Sequence, residues 1–149
     1  MNIGSITLRL LLAVALGGII GIERETSHKP AGLRTNILIC VSSAMMMIVG
    51  GIIAGSDIGQ DITRIAAGVI TGVGFLGAGA IIQSRGTVHG LTTASVIWAV
   101  AGLGIAVGAG YYLISIVFTL IVVGVLVLLR KVDRILYEKS EKNHHSPDR

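Results

Sequence analysis

With 149 residues, 52% of them hydrophobic and only 13% charged, and a mean hydropathy of +0.83, the chain has too little polar surface to coat a water-soluble core. That excludes an ordinary soluble domain and leaves room for a small bundle of membrane-spanning helices with short loops. The net charge of +4 gathers near the two charged ends of the apolar block. It reads as a membrane-orientation signal and not as a nucleic-acid footprint.

Breaking the sequence at its polar clusters predicts an all-α, polytopic bundle of five transmembrane helices, over residues 6–22, 35–54, 65–82, 92–107 and 112–129. Segments of about 18 residues at 1.5 Å rise reach about 27 Å, close to the depth of a hydrocarbon core. The first has no basic region ahead of it, since Arg9 lies inside it, and no small-residue cleavage site, so it reads as a retained span.

Next comes GIERETSHKPAGLRTN, Gly21 to Asn36, which holds Glu23, Arg24, Glu25, His28, Lys29 and Arg34 between two apolar runs. Arg34 is kept near the end of the first span by a short loop with Pro30. A Glu23–Arg34 ion pair is the simplest way to satisfy both charges. A partner-docking face and a cation-entry site are the alternatives, and Arg24 and Lys29 also suit anionic headgroups. Thr35 and Asn36 open the second span and join the interaction candidates. The single Cys40, inside that span, has no partner cysteine and says nothing of redox chemistry.

DIGQDITRIAAG follows. Asp61 is placed just before the third helix, where it would cap free N–H groups and pair with Arg64. The competing reading is cation capture at an outer mouth with Asp57, which makes Asp61 the one weak candidate for a metal ligand. The third span is rich in glycine: Gly68, Gly72, Gly74, Gly77 and Gly79. Gly17 with Gly21, and Gly104 with Gly108, form small-xxx-small pairs in the first and fourth spans. Glycine lets helices approach closely in lipid, which predicts a tight bundle and makes homo-oligomers plausible. The alternative is a broken third helix lining a path.

The 83–91 loop carries Gln83, Arg85 and His89, with Thr92 opening the fourth span. They form either a solvated loop or a polar patch beside the first loop, with His89 able to change charge near neutral pH. The fourth segment is short, so it must thin the bilayer, be shielded, or be re-entrant in a four-span protein. A transmembrane domain at 1–130 precedes a tail at 131–149. In the tail Val132, Ile135 and Leu136 continue an amphipathic helix, residues beyond Lys139 read as disordered, and His144 and His145 as an untethered polar end.

Ten of the twelve basic residues then fall on one side, with Arg9 and Arg64 on the other. Positive-inside bias puts the N-terminus outside and the C-terminus in the cytoplasm. Sliding the chain by 58 positions aligns Gly21, Gly32, Leu33 and Thr35 with Gly79, Gly90, Leu91 and Thr93, a faint sign of a parallel repeat of helix pairs.

Three ordered blocks, GIERE…AGLRTN, RIAAGVITGVGFLGAGAII and VHGLTTASVIWAVAGLGIAVGAG, closely resemble the MgtC/SapB family over about Gly17 to Gly110. The resemblance implies a five-span protein of the bacterial inner membrane, from a family linked to magnesium transport, to growth under low magnesium and to survival inside host cells. In one branch it implies restraint of the ATP synthase membrane sector. Many members carry a soluble C-terminal domain, and this chain is expected to be a short form without it. It also departs from the family at Gly68, where Gln is common, at His89, where Arg is common, and at Ile62, where Pro is common.

No acidic residue lies within a span, which argues against coupled active transport. A hydrated Mg²⁺ path would have to rely on hydroxyls, Asn36 and backbone carbonyls. No nucleophile–base pair or phosphate loop is present, so no enzyme and no cofactor other than Mg²⁺ is expected. Two functions remain: a regulator contacting other membrane proteins within the lipid bilayer, or a channel or transporter for Mg²⁺ or another ion. Sealed, glycine-packed helices favour the first, and a wet path the second.

Overall fold

The computed structural model describes residues 2–54, 58–84 and 87–144, with the side chains of 58–61, 82–84 and 131–144 outside the description. Helices run over Ile3–Thr26 (α1), Leu33–Ala54 (α2), Ile58–Ala80 (α3), Leu91–Ala109 (α4) and Tyr112–His144 (α5). A hairpin of two three-residue strands, β1 (Ile82–Ser84) and β2 (Thr87–His89), joins α3 to α4, with Gln83 opposite Val88. All five helices are long and apolar enough to cross a membrane.

The fourth helix corrects one expectation. It has 19 residues and is long and apolar enough to span, so it is not short. Glycines set both limits. Gly90, at φ +90°, opens it where a Cβ would collide with the carbonyl of Ala80. Gly110, at φ +91°, closes it in a Schellman turn, in which its N–H donates to Val107 O and that of Tyr111 to Ala106 O. The helical backbone of α5 also runs past Lys139 to His144, where disorder was expected.

The core is built from α1, α2 and α4. Ala13, Leu16 and Ile20 meet Cys40 and Ala44 of α2 and Val96, Val100, Leu103 and Val107 of α4. Four of the expected packing glycines make it possible. A Cβ on Gly17 would lie 2.7 Å from Cys40 Cβ, on Gly21 2.8 Å from Leu33 Cα, on Gly104 2.7 Å from Ser43 Cβ and on Gly108 2.5 Å from Ala44 O. The backbones of α2 and α4 therefore touch.

The glycines of α3 do something else. A Cβ on Gly68, Gly72, Gly74 or Gly79 would meet nothing within 4 Å, and only Gly77 approaches a neighbour, Ala94. The tight-bundle expectation fails for them because α3 lies outside the core, with a face left open. Neither is it broken: its helix is continuous from Ile58 to Ala80. The 58-residue offset recurs at Leu33 and Leu91, each the first residue of its helix. It breaks at Gly21 and Gly79, one in contact and the other open.

Candidate functional site

Polar side chains collect at the bundle end where α1 stops and α2 and α4 start. Helix α1 ends in a second Schellman turn: the His28 N–H donates to Glu25 O and that of Lys29 to Arg24 O, with His28 at φ 52° in the place glycine usually takes. The chain then turns through Ala31, at φ 55°, into α2. Fully buried Asn36 secures the turn by donating from Nδ2 to the carbonyls of Ala31 and Gly32. Glu25 reaches across the loop, and its Oε2 accepts the Leu33 N–H at 3.1 Å. It caps the first turn of α2, which has no acidic residue of its own.

Glu23 and Arg24 point inward. Glu23 is 9% exposed and Arg24 4%. Glu23 Oε1 accepts from the Ser27 hydroxyl at 2.7 Å and lies 3.5 Å from Arg130 Nη1, at the far end of the α5 span. Arg130 also donates to Ser27 Oγ. Arg24 Nη2 donates to Thr93 Oγ1 at 3.1 Å, which ties α1 to the first turn of α4. Among the described residues, three buried polar atoms here have no partner: Glu23 Oε2, Arg24 Nε and Asn36 Oδ1.

The expected Glu23–Arg34 pair is thus corrected to Glu23–Arg130. Arg34 and Thr35 are exposed on the outer side of α2, whose turn carries Asn36 inward instead. Because Glu23 and Arg24 are buried and Glu25 bends onto α2, the ERE stretch ties the helix ends together, as the clamp reading expected, with a different partner for Glu23.

Above these residues lies an open cavity of about 970 Å³. Lys29 and Pro30 of the first loop and Val88 and His89 of the hairpin share its wall, with Thr92 and Arg130. Asp61 is the fourth residue of α3 and lies within the helix, not just before it; its side chain lies outside the described residues. Asp57 and Arg85 lie outside them altogether, as does the side chain of Gln83. Arg64 is exposed. Among the described residues, no three His, Cys, Asp or Glu side chains come together.

At the opposite end Arg9 donates from Nη1 to Gly108 O at 2.5 Å and from Nε to the Tyr112 hydroxyl at 3.3 Å. Sequence reasoning counted Arg9 only as a charge and missed Ser27, Thr93 and Arg130 as partners. An arginine inside an apolar run is the signal that marks Arg9, because such a charge must find acceptors in the bundle.

A model of the MgtC family matches residues 10–135. The chain belongs to the MgtC family. It is 39% identical over 143 residues to the Escherichia coli K12 protein named "Putative magnesium transporter YhiD", covering 93% of this chain and 65% of that one. Protein MgtC of Brucella abortus is 40% identical over 124 residues, 83% of this chain and 51% of its own length. Protein SapB of Bacillus subtilis is 47% identical over 113 residues, 72% and 49% respectively. The chain spans half to two thirds of the length of these relatives. No solved structure matches it. Family membership and five span-length helices make it a multi-pass membrane protein.

Proposed function

We propose that this MgtC-family protein is a regulator in adaptation to low Mg²⁺ or stress, acting through contacts with other membrane proteins of the bacterial inner membrane. The observation that carries this reading is the backbone contact of α2 with α4 at Gly104 and Gly108, which leaves no width for a hydrated ion between them. The cavity at the basic end supports it too, since Arg24, Lys29 and Arg130 outnumber Glu23 there and repel a divalent cation. By the positive-inside bias that end faces the cytoplasm.

The contact surface on this reading is α3. Gly68, Gly72, Phe75 and Gly79 share one face of the helix, and Phe75 is 82% exposed. A partner helix can lie directly against the glycine backbone. The ATP synthase membrane sector is the partner that the resemblance to the family implies.

Mg²⁺ transport is the second reading, favoured by the printed name of the Escherichia coli relative. Liposomes loaded with a Mg²⁺-sensitive dye separate the two. Regulation requires no flux above empty liposomes from folded protein, and binding of the purified ATP synthase membrane sector that Gly72→Leu abolishes. Flux that Asp61→Ala weakens would replace regulation with transport.

A further inference from the structure

The cavity at the basic end has the chemistry of a site for a phosphate ester. Arg24 lines it with a guanidinium that is almost wholly buried, bonded through Nη2 to Thr93 and unpartnered at Nε. An arginine is costly to bury without an acceptor, and one neutral hydroxyl does not satisfy it. The first turn of α4 faces the same space: Gly90, Leu91, Thr92 and Thr93 all line it, and no side chain caps their N–H groups. A 19-residue helix thus directs its uncapped, positive end at the cavity that holds the unsatisfied arginine. Lys29 and Arg130 add two cations.

Two further features narrow the ligand. Glu23, the one carboxylate on the wall among the described residues, has an unpartnered Oε2, which calls for a donor on the ligand beside its phosphate. Val125, Leu126 and Leu129 of the α5 span form an apolar wall, and Val125 and Leu129 are about half exposed. A ligand with an acyl chain beside its phosphate fits that combination, and free phosphate leaves the apolar wall bare.

We propose that this cavity binds the headgroup of an anionic glycerophospholipid. Its phosphate sits between Arg24, Lys29, Arg130 and the start of α4, a headgroup hydroxyl donates to Glu23, and an acyl chain runs down α5. Three cations against one carboxylate select a net anion over a zwitterion.

Native mass spectrometry of the full chain in detergent tests this, with equimolar phosphatidylglycerol, phosphatidylethanolamine and phosphatidylcholine as probes. One phosphatidylglycerol should be retained in preference to the other two. The Lys29→Gln/Arg130→Gln variant, altered at exposed side chains though Arg130 also pairs with Glu23, should weaken retention by about tenfold. Arg24→Gln should abolish it, and if that buried change prevents folding the double variant carries the test. Arg34→Gln, at the same end but away from the cavity, should change nothing. Equal retention of the three lipids, an unaffected double variant, or equal weakening by Arg34→Gln would overturn the proposal. Displacement of the lipid by inorganic phosphate at comparable concentration would overturn it in favour of a free phosphate ligand.

Discussion

The guanidinium of Arg24 and the hydroxyl of Thr93 meet at 3.1 Å, which joins two helix ends 69 residues apart in the chain. Both residues are buried, so removing the acceptor strands a charged donor that already has one unpartnered nitrogen. Thr93→Val should therefore destabilise the bundle by about 1–3 kcal/mol, while Thr93→Ser, which keeps the hydroxyl, should cost much less. Reversible unfolding of the purified protein in mixed micelles measures both, and an unchanged midpoint for Thr93→Val would remove the tie from the stability of the fold.

The glycines divide into two groups with opposite expected responses. Gly104→Ala and Gly108→Ala put a methyl group into the backbone of α2 and should cost about 1–3 kcal/mol each. Gly68→Ala and Gly79→Ala meet open space, and should stabilise α3 by about 0.5–1 kcal/mol because alanine has the better helix propensity. The same unfolding assay on the four variants should give opposite signs.

His28 holds φ 52° where the end of α1 turns. A residue with a Cβ is strained there and glycine is not. His28→Gly should raise stability by about 1 kcal/mol, whereas His28→Val should lower it. A rise in thermal midpoint for the glycine variant alone checks this.

Glu25 acts on a helix that is not its own. Glu25→Ala removes the acceptor of the Leu33 N–H and should cost about 0.5–2 kcal/mol, the range of a lost helix cap. Glu25→Gln keeps an acceptor and loses only the charge, so it should fall between the two. Amide exchange at Leu33 reads the effect directly: it should quicken in Glu25→Ala.

The five helices were legible because each apolar run is bounded by charge or by a turn, and hydropathy reports both. The limits of α4 were not, because they depend on Gly90 and Gly110 adopting positive φ, which a hydropathy window does not register. The first loop shows where local reading ends. Arg34 is the nearest cation to Glu23 across the loop, but the residue that pairs with Glu23 is Arg130, and the Ser27 hydroxyl between them is 103 residues from that arginine. Only the return of α5 to the end of α1 brings them together. The α3 glycines misled in the same way: their composition matches that of Gly104 and Gly108, and only the position of α3 outside the core leaves them bare.

The core joins α1, α2 and α4, yet the chain inserts α3 between the second and third of these. The core therefore stays open on one side until α4 has been made. When the first three spans have entered the bilayer, α2 still presents Ser43, Ala44, Met47 and the backbone that Gly104 and Gly108 will cover. A pause in synthesis before Ala109 holds the chain in that half-built state, ready to receive the fourth span of a neighbouring copy in place of its own.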